Sequence, residues 1–475
     1  MVHLPILRAG RAYRSLSVTR VSHVQTGQPL GSVSQANRGL VAKDLLSAAS
    51  NKRALEAYDV SELLEICKRA ARLFMEADLP LDGDVQSPED YGRQVSGTTG
   101  MPESLCRKNM DKIRLVSEEM EAVLDGLMHG LDLSVLDEGW KVQGERPLRY
   151  VCQTEALGAV LPSNSPGVHT LWMPAIPLKV PLVLKPGSEE PWTPFRIAQA
   201  FIAAGCPPEA FGVYPTDHTG AGELLLRCGR SLLFGGGPTV APWEADLRVQ
   251  IHGPGRSKII IGADRVSAWE DGLDVMVASI VENGGRSCIN ASGLWTPGHG
   301  REIAGALAEC LVQITARPLD DPEAQIAAFT RPEFARRLSG LIDSQLKVPG
   351  AEDLTAGLRG TDRVVEKAGC TFLNPTVIWC EDPEHPLANT EFLFPFVSVV
   401  EAPQEETLDR IGPSLVVTAL TEDGELIDAL LGSPDVERLN VGPIPTTHVS
   451  WDQPHEGNLF EHLYRQRALQ WAKRA

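Results

Sequence analysis

Between residues 150 and 262 the chain alternates short apolar runs with segments of helical spacing, and no other feature constrains its fold as strongly. The apolar runs are typical of buried strands and cover residues 158–161, 181–185, 211–214 and 231–234. Helical segments lie between them, at 193–204 and 222–228. This order predicts an α/β fold with a parallel sheet that helices cover on both faces. Ligands of such sheets bind beyond the carboxyl ends of the strands, which is where Asn164, Lys185 and Gly235 fall.

A single thiol, Cys288, stands in a run of small residues over 283–293. An apolar, helix-like segment precedes it and ends at Asn283-Gly284-Gly285, a sequence that stops helices. Small neighbours leave room for a carbonyl group beside the sulfur, so a thiolate there could attack an aldehyde or acyl carbon. The alternative for an isolated cysteine is a buried structural residue. The surrounding sequence decides between the two.

The composition excludes several classes of function. A net charge of −18 over 475 residues argues against non-specific binding of nucleic acid or of anionic membranes. The nine cysteines form no CxxC pair and no cluster with metal-ligand spacing, so no metal site is expected. Scattered thiols suggest a reducing compartment, and we expect a cytoplasmic protein. No apolar run approaches the roughly 18 residues of a membrane-spanning helix.

The first 40 residues contain five arginines and no acidic residue, a composition shared with transit peptides. The strand-like alternation over 13–21 favours a folded segment instead.

Six segments carry a resemblance to a known family, and their order counts for more than any one of them. They are Pro162-Ser163-Asn164, Val183-Leu184-Lys185-Pro186, Phe234-Gly235-Gly236, Cys288, the run 391–397 that begins at Glu391, and Asn440-Val441-Gly442. With these segments the chain resembles the aldehyde dehydrogenase superfamily from about residue 40 to 450, with features of its acylating, acyl-CoA reductase branch. The resemblance implies two Rossmann-like parallel-sheet domains, a small oligomerisation element and an NAD(P)-dependent aldehyde oxidoreductase.

The resemblance also implies roles for individual residues. Cys288 would be the nucleophile that forms a thiohemiacetal and then a thioester. Asn164, with the backbone N–H of Cys288, would hold the developing oxyanion, and one such donor is typically worth about 10²–10³ in rate. Six residues would contact the cofactor, NAD or NADP: Pro162, Lys185, Ser188, Gly235, Gly236 and Glu391. The alternatives for these residues are ordinary turn, strand-end and surface positions.

Two departures from the family pattern leave the chemistry open. His252 stands where hydrolytic members carry a glutamate base, and it is the third candidate catalytic residue because imidazole also acts as a base near neutral pH. Without that carboxylate, coenzyme A becomes an alternative acceptor, so oxidation to an acid and acylation of coenzyme A both stay open. Ser188 stands where NAD-preferring members carry a glutamate. A serine permits NADP, whereas the adjacent Glu189 and Glu190 oppose it.

The expected organisation has four parts. They are an N-terminal strand segment over 1–40, an NAD(P)-binding domain over 41–262 with an oligomerisation hairpin near 140–157, a catalytic domain over 263–445, and a C-terminal tail over 446–475 that contacts another subunit. A homodimer or homotetramer that acts on a small aldehyde or acyl-CoA is expected.

Two other classes of function remain open. The altered base and turn residues fit a non-catalytic relative that serves as a binding or structural subunit. A semialdehyde reductase for acidic substrates ranks last, because no arginine-rich anion pocket is evident in the sequence.

Overall fold

The first of two seven-stranded sheets is a parallel sheet with an antiparallel edge. The computed structural model describes residues 2–143 and 146–470. In spatial order the strands are Val249–His252, Arg230–Phe234, Leu157–Val160, Leu182–Lys185, Phe211–Val213, Ile6–Arg8 and Arg11–Tyr13. The first five are parallel, whereas the two N-terminal strands add antiparallel to the edge. The α/β fold that the alternation over 150–262 predicts is confirmed.

Both faces of this sheet are buried. Along the strand Leu182–Lys185, Leu182 and Leu184 face one hydrophobic core while Val183 faces another, as the two-residue period of a strand requires. Helices supply the covering layers. They are Arg38–Leu45, Ala48–Glu56, Val60–Glu76, Pro88–Thr99, Glu103–Glu118, Met120–Leu127, Val135–Glu138, Trp192–Ala203 and His218–Arg227.

The second sheet also has seven strands. In spatial order they are Ala351–Asp353, Thr376–Cys380, Phe396–Glu401, Gly293–Thr296, Lys258–Ile261, Ser414–Leu420 and Val436–Val441. All neighbours are parallel except the edge strand Ala351–Asp353. Its main helices are Leu273–Val281, Gly300–Leu311, Pro332–Gln345, Gln404–Ile411 and Gly424–Gly432.

The two sheets meet within a short connection. Val249–His252 belongs to the first sheet, and Lys258–Ile261 pairs with Gly293–Thr296 in the second. The expected boundary after residue 262 would place Lys258–Ile261 in the first domain, so the structure moves the crossover to 253–257. The chain therefore changes sheets beside the residues that the sequence marks as functional.

A third, antiparallel sheet is formed by Trp140–Gln143, Arg146–Cys152 and the C-terminal strand Tyr464–Arg467. It corresponds to the hairpin expected near 140–157, and its role between subunits stays a prediction. Residues 471–475 of the expected tail lie outside the described residues. Smaller sheets are Val2–Leu4 with Pro29–Ser34 and Val18–Ser22, Leu79–Leu81 with Asp84–Gln86, and Val364–Lys367 with Cys370–Leu373. None of the helices within the described residues is long and apolar enough to cross a membrane.

Candidate active site

Cys288 lies in the loop that joins the helix Leu273–Val281 to the strand Gly293–Thr296. The helix is followed by three residues in the left-handed region, Asn283, Gly284 and Gly285, with φ of 54°, 69° and 67°. A Cβ on Gly285 would lie 2.4 Å from the backbone nitrogen of Pro395. Only glycine allows this approach, which packs the thiol loop against the run 391–397.

Asn109 links the thiol loop to the turn that carries Asn164, and sequence analysis did not identify it. Its Oδ1 accepts hydrogen bonds from the Gly167 backbone N–H at 2.9 Å and from the Ser165 hydroxyl at 3.2 Å. Its Nδ2 donates to Asn283 Oδ1 at 2.7 Å, across 174 residues of sequence. Asn283 in turn donates to the Ser165 hydroxyl at 3.0 Å. These bonds fix the position of one loop relative to the other.

The backbone around Cys288 is held from two further sides. The Ser257 hydroxyl donates to the Cys288 carbonyl oxygen at 2.8 Å, and the Ser287 backbone N–H donates to Asn290 Oδ1 at 2.9 Å. A Cβ on Gly255 would stand 2.0 Å from the same Cys288 carbonyl oxygen. The connection between the two sheets therefore touches the main chain of the candidate nucleophile directly.

Cys288 and Asn164 line one cavity of about 50 Å³. Lys112 contributes to its wall from the helix Glu103–Glu118, and Trp451 contributes from the C-terminal segment. The structure therefore brings the predicted thiol and the predicted oxyanion donor together. Val449, Trp451 and His455 of the expected tail over 446–475 line this cavity, and the subunit contact of that tail stays a prediction.

The side-chain amide of Asn164 donates one hydrogen bond, from Nδ2 to the Arg286 carbonyl oxygen at 2.7 Å. An amide nitrogen carries two N–H groups. One donor of Asn164 thus remains for a group in the cavity, and the bond to Arg286 fixes the direction of the amide relative to the thiol loop.

The thiol of Cys288 is protonated at neutral pH. Burial raises the pKa of Cys288 well above its usual range, and the carboxylates of Glu456 and Glu391 raise it further. The backbone N–H groups of Cys288 and Ile289 bond to the sulfur and oppose these effects only in part. A thiolate is the reactive form, so the reaction requires a base that removes this proton.

His252 does not line the cavity of Cys288. It lines an adjoining cavity of about 40 Å³, and the two cavities share Trp451 and His455 as common wall. The imidazole stacks on Phe234 with ring centroids 4.2 Å apart. The sequence predicted that His252 and Cys288 belong to one site, and the structure places them in neighbouring compartments of it.

Glu456 is the partner of His252, and no sequence motif marks it. Its carboxylate is hydrogen-bonded to Nδ1 of His252, across 204 residues of sequence. Burial raises the pKa of Glu456, but the charges and hydrogen bond of His252 outweigh it and hold the pKa below its ordinary value. Within the described chain, Nε2 of His252 is buried and has no hydrogen-bond partner.

Lys185 stands at the carboxyl end of the strand Leu182–Lys185, where the sequence predicts a cofactor contact. Burial lowers the pKa of its ammonium group. Within residues 2–143 and 146–470 this ammonium makes no hydrogen bond or ion pair. A partly buried cation without a partner is costly, so its position fits a polar ligand at the strand end.

The backbone near Lys185 also leaves room for a ligand. A Cβ on Gly187 would lie 2.5 Å from the Pro162 carbonyl oxygen, so glycine is needed where these two turns meet. Gly235 packs on Thr239, whereas a Cβ on Gly236 would meet no atom within 4 Å. The main chain at Gly236 is therefore accessible to a close approach.

Ser188 is exposed, and the two carboxylates that follow it are engaged elsewhere. Glu190 is buried and accepts hydrogen bonds from Thr193, while its other oxygen pairs with His169 at 3.0 Å. Glu189 lies 3.7 Å from the Arg331 guanidinium. The expected opposition of these carboxylates to a 2′-phosphate is therefore wrong for Glu190, because it serves as a buried helix cap.

Glu391 accepts a hydrogen bond from the backbone N–H of Arg256. Burial raises the pKa of Glu391 to about 7. Because one oxygen already has a partner, a ribose contact of the kind that the resemblance implies would use the other oxygen. Among residues 2–143 and 146–470 there is no group of three or more His, Cys, Asp or Glu residues that could hold a metal ion.

Comparison with known proteins identifies the family. The aldehyde dehydrogenase family model matches residues 13–411. The chain belongs to the aldehyde dehydrogenase family. A betaine aldehyde dehydrogenase from Vibrio vulnificus is 26% identical over 264 residues, 51% of this chain and 51% of that protein. The malonate-semialdehyde dehydrogenase 1 of Geobacillus kaustophilus is 24% identical over 308 residues, 61% of each chain. The match thus spans between half and two thirds of these curated relatives.

The fold of the family extends over the whole chain. The crystal structure of a NAD-dependent benzaldehyde dehydrogenase from Corynebacterium glutamicum has a TM-score of 0.77 at 14% identity, covering 98% of this chain and 97% of that one. The two Rossmann-like sheets and the third, small sheet are therefore those of an aldehyde dehydrogenase.

Proposed function

We propose that this protein is an NAD(P)-dependent aldehyde dehydrogenase in which Cys288 attacks the aldehyde carbon. The observation that carries the proposal is the cavity that Cys288 shares with Asn164. Addition to a carbonyl needs a nucleophile and a donor for the oxygen side by side. The relatives are named for different aldehydes, so family membership leaves the substrate undecided.

In the first step the Cys288 thiol gives its proton to water, the thiolate sulfur adds to the aldehyde carbon, and the π electrons of the carbonyl bond move to its oxygen. The free N–H of Asn164 and the backbone N–H of Cys288 donate to that oxygen. Removal of one such donor costs about 10²–10³ in kcat. We therefore expect Asn164→Ala to lose that factor while Asn164→Asp, which also lacks the amide donor, loses at least as much.

The residues at the carboxyl edge of the first sheet fit NAD(P). Lys185 would bond a ribose hydroxyl with its unpartnered ammonium group, and Gly235 and Gly236 would let the pyrophosphate approach the main chain. Pro162 supports the turn on which Gly187 rests. Bound nicotinamide supplies the hydride acceptor that aldehyde oxidation requires.

We further propose that NADP is accepted as well as NAD. The proposal is supported by the exposed, neutral Ser188 and by the hydrogen bonds that engage Glu190. Initial rates with NAD⁺ and NADP⁺ at equal concentration test it, and a preference for NAD⁺ of a thousandfold would refute it.

His252 is assigned the role of general base for release of the acyl group. Glu456 accepts a hydrogen bond from the Nδ1–H of His252, which leaves the lone pair on Nε2 free to accept a proton from water. The cavity of about 40 Å³ beside His252 exceeds the roughly 10–15 Å³ that one water requires. Loss of the base in His252→Ala should cause the acyl-enzyme to accumulate on Cys288, detectable by mass spectrometry.

Transfer of the acyl group to coenzyme A is the second candidate outcome, favoured by the absence of the family's glutamate at position 252. Assays with an aldehyde and NAD⁺ or NADP⁺, with and without coenzyme A, separate the two. If oxidation of the aldehyde depends strictly on coenzyme A, the acyl group is transferred to coenzyme A and is not hydrolysed.

A non-catalytic role is favoured by one observation, the raised pKa of the Cys288 thiol. Turnover by wild type that disappears in Cys288→Ala, with nucleotide binding retained, supports the enzyme. A Cys288 thiol that forms no adduct with aldehydes or iodoacetamide supports the binding role.

We also propose that the sheet of Trp140–Gln143, Arg146–Cys152 and Tyr464–Arg467 joins subunits. Within the described residues the sheet has three strands with Tyr464–Arg467 at one edge, and edge strands in other proteins pair with a second chain. Light scattering on the purified protein gives the oligomeric state, and a monomer would refute this. All nine cysteines are free, which suits the reducing environment of the cytoplasm, and we place the protein there.

A further inference from the structure

Lys112 projects into the cavity of the candidate nucleophile from the helix Glu103–Glu118. Its side chain passes over the turn beside Asn164, where a Cβ on Gly167 would lie 3.1 Å from the Lys112 Cδ atom. The glycine thus makes room for the lysine stem. Of the residues that line this cavity in the described chain, Lys112 alone is a lysine or arginine, and none is an aspartate or glutamate.

The ammonium group of Lys112 has no partner. Within residues 2–143 and 146–470 it makes no hydrogen bond and no ion pair. By contrast, the buried Lys179 pairs with Asp137 and the buried Lys52 bonds the Thr154 carbonyl oxygen. Burial lowers the pKa of Lys112, and Glu282 and Cys288 oppose this only in part. A half-buried cation without a partner in the described chain is suited to a ligand anion.

We propose that Lys112 is an anion subsite of the active site and that it binds the carboxylate of a short aldehyde acid whose carbonyl carbon meets Cys288. This inference rests on the proposed function and names its substrate class. The cavity of about 50 Å³ limits the size of the substrate.

Neutral and anionic aldehydes of equal length provide the first test. Wild-type kcat/KM is expected to favour 3-oxopropanoate over propanal by about tenfold or more, the range for a hydrogen bond to a charged group. In Lys112→Met that preference disappears, mainly through KM. Lys112→Arg retains part of it. The exposed Lys108 lies one turn earlier on the same helix, and Lys108→Met is the matched control that keeps the wild-type ratio.

A second test needs no turnover and therefore separates failure of the subsite from failure of the proposed function. Iodoacetate and iodoacetamide are of nearly equal size and differ in charge. The ratio of their alkylation rates at Cys288, measured by peptide mass spectrometry, is expected to fall about tenfold or more in Lys112→Met. A change in thiol reactivity alone would alter both rates equally. An unchanged ratio in Lys112→Met, or equal use of the two aldehydes by active wild type, would overturn the inference.

Discussion

Replacement of Asn109 by alanine is expected to disorder the active site without touching any residue that meets substrate. Asn109 is 3% exposed, and its side chain joins Gly167 on the oxyanion turn to Asn283 on the thiol loop. Alanine leaves the buried Gly167 N–H and the half-buried side-chain amide oxygen of Asn283 without these partners. A stranded polar group costs about 1–3 kcal/mol, so the free energy of unfolding should fall by about 2–6 kcal/mol.

Activity should fall as well, because displacement of reacting groups by about 1 Å can cost about 10² in rate. Urea unfolding, steady-state turnover and the iodoacetamide rate at Cys288 measure the three consequences. Ser117→Ala is the control, since Ser117 is equally buried on the same helix and bonds only the Ile113 carbonyl oxygen of its own helix at 2.8 Å. It should lose about 1 kcal/mol and no activity.

Two results would refute this reasoning. If Asn109→Ala loses stability but keeps wild-type turnover and labelling, the network holds the fold and does not position the site. If its unfolding midpoint matches that of wild type, the two stranded groups find other partners, and the hydrogen bonds of Asn109 carry no net free energy.

Four further predictions concern charge. Because the pKa of Cys288 lies well above its usual range, labelling by iodoacetamide in the absence of nucleotide should rise about tenfold per pH unit from 7 to 9 without a plateau. Glu456→Gln removes a charge that raises the pKa of Cys288, so Cys288 of this variant should react with iodoacetamide faster than in wild type at every pH from 7 to 9. A slower reaction would contradict the assignment of Glu456 as a cause of the raised pKa. Ser188→Glu should lower kcat/KM for NADP⁺ at least tenfold relative to NAD⁺, about 1.4 kcal/mol of repulsion, and an unchanged ratio would place the 2′-phosphate elsewhere. Lys112→Met should raise the free energy of unfolding, seen as a higher urea midpoint, since it removes a half-buried charge without a partner in the described chain; a lower midpoint would mean that the ammonium group has a stabilising partner.

Much of the architecture follows from the sequence because it is encoded locally. The apolar runs between 150 and 262 are continuous in the chain, and a parallel sheet fixes where their carboxyl ends lie. The order of the motifs around Asn164 and Cys288 was enough to predict a shared site, and both side chains line one cavity.

The rest of the site depends on contacts between distant segments. Glu456 meets His252 across 204 residues, and no local pattern distinguishes that glutamate from a solvated one. In the sequence Asn109 is one residue of an amphipathic helix, and its role appears only where that helix packs against the loops that carry Asn164 and Cys288. Lys112 lies on the same helix, and only the docking of that helix brings it to the cavity of Cys288. The boundary after 262 was misplaced because Lys258–Ile261 has the same apolar strand pattern as the strands of the first sheet. In the structure this strand pairs with Gly293–Thr296 in the second sheet.

The connection 253–257 has a mechanical consequence. Gly255 lies against the carbonyl group of Cys288, and the Ser257 hydroxyl donates a hydrogen bond to the same oxygen. Between these two residues, the backbone N–H of Arg256 donates a hydrogen bond to Glu391. A rigid-body rotation of one half of the molecule against the other would shift the sulfur itself, and not merely narrow the cleft around it. Any closure of the two sheets around a nucleotide would therefore be coupled to the reactivity of the thiol through these five residues of main chain.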